Sequence, residues 1–231
     1  PSKSASTAYT QIIDGKGMTC LTPAAGNHVA TFSTDMKYLV DKYSMVDVAP
    51  VTELRSAADG HLITSLEQAD ISKLTANGWR APEVFKAKGR DGVTDMWGII
   101  QRPTNFDPSK KYPVIEYIYA GPGDAYTPKS FIPYNWNATP LAELGFIVVQ
   151  LDAMGTSWRG KKFEEVCYKN LKDAGFPDRM LWMKAAAAKY PYMDISNVGI
   201  FGASAGGQES TTAVLLHGDF YKAAYSSCGC H

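Results

Sequence analysis

The chain has 231 residues, 45% of them hydrophobic, with 23 Lys and Arg against 23 Asp and Glu. That length and apolar content allow one domain with a sizeable core plus part of a second. Zero net charge gives no electrostatic reason to expect a nucleic-acid or anionic-membrane partner, and no apolar run reaches the ~20 residues that span a bilayer. The start, from Pro1 to Thr7, is polar and has no apolar stretch of the signal-peptide kind. Four cysteines, Cys20, Cys167, Cys228 and Cys230, are too few and too uneven for a disulfide framework. Cys228 and Cys230 read as packed thiols or a local disulfide rather than a metal site, because no second pair or histidine cluster accompanies them. No metal and no cofactor is expected.

In chain order, residues 8–57 read as short strands, at 29–33, 37–40 and 51–54, with a turn at Asp59-Gly60. Their spacing suggests a meander or one propeller blade, which needs neighbouring blades to be stable. Residues 65–78 have helical character, with Ser65 as cap, Gln68 at the capping-box position and Leu66, Ile71 and Leu74 as the apolar stripe. From Pro82 the pattern changes. Residues 83–88 and 93–101 read as a strand pair, 112–119 and 145–151 as apolar strands, 178–189 as a helix, and 197–201 as a third buried strand. A helix over 205–216 follows, closed by His217-Gly218, and 223–226 begins another strand. Apolar strands alternating with helices indicate a mostly parallel sheet with both faces covered. The domain reading is therefore 1–57 as one unit and 58–231 as another.

The chemistry concentrates in Gly202-Ala203-Ser204-Ala205-Gly206, a G-x-S-x-G sequence between a predicted strand and a predicted helix. A serine on such a turn projects its hydroxyl above the sheet, small neighbours let strand and helix approach, and the helix N-terminus favours developing negative charge. Ser204 is thus the candidate nucleophile and Ala205 N–H the candidate oxyanion donor. A capping serine in a glycine-rich turn is the plain alternative. In this fold the acid and the histidine follow the serine in the chain. Only Glu209, Asp219, His217 and His231 do so here. Glu209 lies on the helix directly behind the serine. Asp219 and His217 lie at that helix's far end, about 20 Å away, and His231 just beyond the next strand. None of these fits a triad position. His217 reads as a helix-end histidine, and His28 and His61 as loop residues of the strand-rich leader.

The stretch Lys110-Lys111-Tyr112-Pro113 with Tyr119-Ala120-Gly121-Pro122 resembles the first hydrolase strand and loop of the prolyl oligopeptidase family (S9) of serine peptidases, in its dipeptidyl peptidase IV-like branch. Asn135-Trp136, Leu151-Asp152 with Gly155-Thr156, Asp178 and the run from Gly202 to Gly207 continue the similarity in order, and the leader resembles that family's last propeller blade. The resemblance implies an α/β-hydrolase fold preceded by the end of a β-propeller (1–57), with 58–231 as the N-terminal portion of the catalytic domain. It implies that Tyr119 hydroxyl helps stabilise the oxyanion; from the residues alone Tyr119 is an aromatic at a strand's C-terminal end, where ligands gather in such sheets.

Three departures matter. Ala205 stands where these peptidases usually have a tyrosine that shapes the proline pocket, Met154 stands where an arginine is common, and the family's catalytic Asp and His have no counterpart. The expectation is an internal fragment of a longer serine peptidase, acting on a peptide substrate through an acyl-enzyme on Ser204, as a dipeptidyl peptidase or oligopeptidase. The alternatives are a serine esterase of the same fold or an inactive fragment. A homodimer of the full-length protein is a further option, and the resemblance favours a bacterial periplasmic or secreted setting. A hydrolase sheet of about six strands would leave an open edge, so the isolated chain is expected to associate or aggregate.

Overall fold

The structure is a computed structural model that describes residues 9–11 and 18–230. The readings on Pro1–Thr7 and on His231 fall outside the described residues. The chain divides into two compact units: residues 1–77 with 128–133, and residues 78–127 with 134–231.

In the first unit β1 (Tyr9–Gln11) pairs antiparallel with β2 (Met18–Cys20). β3 (Asn27–Phe32), β4 (Tyr38–Met45), β5 (Val48–Ser56) and β6 (Leu62–Gln68) form a four-stranded antiparallel sheet in chain order, the arrangement of a propeller blade. The apolar centre is small: Leu21, Leu39 and Ala57, with Ala30 and Phe32 against them. Polar pairs fill the rest. Buried His28 meets Asp41 Oδ1 through Nδ1 at 2.9 Å and Ala24 carbonyl through Nε2 at 2.8 Å. Arg55 donates to Glu53 Oε2 at 2.6 Å and to Gly60 carbonyl at 2.7 Å. Gly60 has φ 77°, and a methyl group there would lie 2.7 Å from Leu21 Cα, so the turn at Asp59-Gly60 requires glycine. The segment 128–133 is tied in by Asn27 Nδ2 donating to Ser130 Oγ (2.7 Å) and Phe131 N–H donating to Ser44 Oγ (3.1 Å).

The helix expected over 65–78 is a correction. Residues 62–68 are strand β6, paired with β5, and only Ser72–Ala76 are helical, as α1. The β-branched Ile63 and Thr64 suit the pleat, and β5 offers an unpaired edge. Ile71, not Ser65, is the N-cap residue, and Asp70 just before it accepts Ser72 N–H at 2.8 Å. The strand-rich unit consequently runs on past residue 57 to Asn77.

The second unit is a six-stranded mixed sheet. Its strands are β7 (Glu83–Lys88), β8 (Asp95–Gln101), β9 (Tyr112–Tyr117), β10 (Ile147–Asp152), β11 (Met193–Ala203) and β12 (Tyr221–Ser227), in the order β12-β11-β9-β10-β8-β7. The pairs among β12, β11, β9 and β10 are parallel; β8 joins β10 antiparallel and β7 joins β8 antiparallel. The helices are α2 (Thr139–Glu143), α3 (Lys161–Glu164), α4 (Phe176–Lys189) and α5 (Ala205–Leu216). Period-2 alternation on β10 shows both faces covered: Ile147, Val149 and Leu151 enter the main core with Trp182 and Met183 of α4, while Val148 packs against Ala138 and Ala142 at α2. This is the expected α/β-hydrolase architecture. The short helices α2 and α3 carry too little periodicity to stand out in the sequence.

Two smaller expectations shift. Gly218 does not take the left-handed cap conformation; a methyl group there would lie 2.9 Å from Val214 carbonyl, so it serves close approach. All four cysteines are free, and Cys228 and Cys230 are exposed rather than packed. They follow β12, an edge strand whose middle residues face outward.

Candidate active site

β11 runs buried through Val198 and Ile200 and delivers the chain to the sheet's C-terminal end at Ala203. α5 begins at Ala205. The single residue between them, Ser204, sits at φ 57° and ψ −122°, a region that a residue with a side chain occupies only when its surroundings impose it. Ser204 N–H donates to Ser227 carbonyl on β12 (2.9 Å), and its carbonyl accepts Gly207 N–H (2.9 Å) and Gln208 N–H (3.1 Å). Those bonds hold the strained backbone and leave the side chain exposed.

The glycines are required by contact. A methyl group on Gly202 would lie 2.4 Å from Ile118 carbonyl, one on Gly206 2.2 Å from the same oxygen, and one on Gly207 2.3 Å from Ser227 carbonyl. Ile118, just past β9, is therefore the anvil against which strand and helix turn. The next residue is Tyr119, whose hydroxyl stands 3.5 Å from Ser204 Oγ. That is the outer limit of hydrogen bonding, so the two hydroxyls face each other across a gap. Ala205, the first residue of α5, has an N–H with no intrahelical acceptor, on the serine's side of the helix end. The three predicted site residues, Ser204, Tyr119 and Ala205, thus meet at one place.

The loop carrying Tyr119 is braced by the end of β10. Asp152 Oδ1 accepts Tyr126 N–H (2.8 Å) and Thr127 N–H (3.0 Å), and the Tyr126 ring lies 4.5 Å from that of Tyr119. Trp158 Nε1 donates to Asp124 Oδ1 (2.6 Å), and Ser157 Oγ donates to Pro122 carbonyl. Asp178 is a joint rather than an acid for the serine. Fully buried, it accepts Arg90 through Nε and Nη2 (3.0 and 2.8 Å) and Met154 N–H (3.2 Å).

None of the described histidines hydrogen-bonds to Ser204. His217 lies at the far end of α5, with Nε2 2.6 Å from Asp173 Oδ1. His28 and His61 belong to the first unit, the latter beside Asp59 at 2.8 Å. Among the described residues no group of three His, Cys, Asp or Glu is arranged to hold a metal, and no helix is long and apolar enough to cross a membrane.

Beneath the site lies a buried charge cluster. Glu116 on β9 and Arg179 on α4 pair at 2.5 Å, and Tyr221 hydroxyl donates to the second Glu116 oxygen at 2.7 Å. Glu209 on α5 is buried too, with Oε2 unpartnered among the described residues. Burial pushes its carboxyl up to about 7; the Arg179 guanidinium and the Ala120 N–H pull it down, and Glu116 pushes it up, but burial dominates. Both glutamates carried a signal in the sequence: Glu116 interrupts an apolar strand, and Glu209 falls on the inward stripe of α5 with Gly206 and Ala213.

Residues 132–231 match the sequence profile of the prolyl oligopeptidase family, Peptidase_S9. Over these residues the chain is similar to the prolyl oligopeptidase family. Dipeptidyl peptidase 8 of Homo sapiens is 32% identical over 145 residues, which are 62% of this chain and 16% of that protein. A protein of Arthroderma benhamiae described as "Probable dipeptidyl-aminopeptidase B" is 31% identical over 205 residues, 86% of this chain and 22% of that protein. Among solved structures, dipeptidyl peptidase 4 of Porphyromonas gingivalis superposes with a TM-score of 0.80 at 25% identity, covering 97% of this chain and 32% of the other. The chain therefore spans less than a quarter of the length of the two curated relatives, from Homo sapiens and Arthroderma benhamiae.

Proposed function

We propose that the full-length protein is a serine peptidase of the dipeptidyl peptidase type, working through an acyl-enzyme on Ser204. Ser204 Oγ attacks the scissile carbonyl carbon, and the carbonyl oxygen, now an oxyanion, receives Ala205 N–H and Tyr119 hydroxyl. A histidine beyond His231 takes the serine proton and returns it to the leaving amine, and water then releases the acyl group. The observation that carries this reading is Ser204 held at φ 57° on the strand-to-helix turn with Tyr119 hydroxyl 3.5 Å from its Oγ. The family relationship supports the reaction class, and the relatives' names support release of dipeptides. The blade-like sheet of the first unit is read as the end of a β-propeller, and the unit from Gly78 onward as the N-terminal portion of the catalytic domain. Ala205 carries only a methyl group beside the nucleophile, which leaves the substrate side chain more room than a tyrosine would.

The test uses the full-length protein and a fluorophosphonate probe. Labelling at Ser204 is expected, and Ser204→Ala should abolish labelling and lower kcat by at least about 10³-fold. Tyr119→Phe should lower kcat by about 10- to 10³-fold with little change in KM, the signature of a donor that acts only in the transition state. Unchanged labelling of the Ser204→Ala protein would sink the assignment. Faster turnover of short acyl esters than of dipeptidyl anilides would replace the peptidase by an esterase.

A further inference from the structure

Beside the serine is a cavity of about 210 Å³, lined by Tyr119 and Tyr126 from the loop after β9, by Leu171, and by Ala205, Gln208 and Glu209 from the first turns of α5. Its walls are largely aromatic and aliphatic. Glu209 is the one ionisable carboxyl on them, only 6% exposed, and its Oε2 has no hydrogen-bond partner among the described residues. An unpartnered acceptor at that depth costs free energy unless something arrives to satisfy it.

The surrounding charges say what should arrive. From α4, Arg179 supplies one guanidinium, already paired with Glu116 of β9. Arg179 Nε and Nη2 are themselves unpartnered, so the guanidinium does not reach Glu209 Oε2 in this arrangement. Of the other groups lining the cavity, the Tyr126 hydroxyl is held above its ordinary value by burial and so stays neutral near pH 7, and Gln208 is uncharged. One cation thus stands against two carboxyls, and once Glu209 loses its proton, above about pH 7, a surplus negative charge borders the cavity next to the nucleophile.

We propose that this cavity is a substrate subsite for a cationic side chain, in which Glu209 receives a lysine ammonium or arginine guanidinium and the rings of Tyr119 and Tyr126 flank the alkyl stem. The proposal rests on Ser204 being the nucleophile, because that places the cavity against a reacting peptide. A cation brought to Glu209 completes the charge balance of the cluster, and the aromatic faces add cation–π attraction. The carboxyl lifted to about 7 by burial is what an under-compensated site produces, and it makes cation binding strengthen as pH rises through that range.

The full-length protein carrying Ser204→Ala separates binding from catalysis. Titration calorimetry with n-butylammonium and with n-butanol, its neutral counterpart, at pH 6 and pH 8 reads the site directly. Butylammonium is expected to bind at least about 10-fold tighter than butanol at pH 8 and about 5- to 10-fold tighter at pH 8 than at pH 6. Glu209→Gln should remove both differences. Leu171→Trp, which fills the cavity from an exposed wall and spares the buried cluster, should abolish butylammonium binding. In the Ser204 enzyme, Glu209→Gln should lower the kcat/KM ratio of lysine- over norleucine-containing peptides at least about 10-fold. Equal binding of butylammonium and butanol overturns the proposal, as does a substrate ratio that Glu209→Gln leaves unchanged, which would make Glu209 a support for the Tyr119 loop. Should butylammonium bind as expected while no fluorophosphonate labels Ser204, the peptidase reading fails and the substrate role of the cavity falls with it.

Discussion

The two compact units solve the same problem, burying one face of a sheet, by different means. The first has a small apolar centre around Leu21, Leu39 and Ala57 and fills its interior with His28, Asp41, Glu53 and Arg55. The second has an extended apolar core from Met96 to Tyr221, and only a few charges, led by Glu116, Arg179 and Asp178, lie deep within it. A polar interior relies on each hydrogen bond being made, so it is specific but stabilises little per residue. An apolar core of the second kind is strong enough to hold a residue such as Ser204 in a backbone conformation it would not choose. The candidate chemistry sits on the unit that can support that strain.

That contrast can be broken by mutation. The largest effect is expected for Trp182→Ala, which empties the centre of the second core: about 3–5 kcal/mol of destabilisation. Hydrogen exchange in the full-length protein should show it at the amides of β9, β10 and β11 and leave those of β4 and β5 protected. Spread of the loss to both units would mean that they unfold together.

Asp41→Ala removes the acceptor for buried His28 and should cost about 1–3 kcal/mol, read at the amides of β3, β4 and β5. A cost well under 1 kcal/mol would show that the polar interior is not what holds the first sheet.

The most gradual effect is a slope with pH, spread over the range from about 4.5 to about 7. Glu209 titrates near 7 in the fold against 4.5 when exposed. Between those values the folded protein keeps a proton that the unfolded chain has released, so this group's stabilisation is full below about 4.5 and is lost as pH rises through about 7. The slope is roughly 1 kcal/mol per pH unit. Glu209→Gln should flatten it, measured by denaturant midpoints from pH 4.5 to pH 7.5; an unaltered slope would place the buried titration elsewhere.

Much of the candidate site was legible before any tertiary contact. Helix α5 begins and ends where the sequence reading put it, at Ala205 and Leu216, and the strands from β7 onward appear with boundaries shifted by a few residues. The failures share a cause. Residues 65–78 have a helical apolar stripe, yet 62–68 became a strand because β5 offered an edge to pair with, and a tertiary hydrogen-bond ladder outweighs a weak local preference. Glu209 was visible as the residue behind the serine, but its burial depends on which neighbours α5 meets, and periodicity names the inward stripe without naming what lies across it.

By itself, then, the sequence determined the local events: a serine between a strand and a helix, glycines on both sides of it, and a tyrosine at the end of an earlier strand. Each follows from residue type and spacing, which are local properties of the chain. Only the tertiary structure decided that β9 lies beside β11, so that Ile118 carbonyl makes Gly202 and Gly206 obligatory and Tyr119 faces Ser204. It alone set one guanidinium between two carboxylates beneath a cavity. Those facts are distances between residues about 30 to 90 positions apart in the chain, and such distances are fixed by the packing of whole elements.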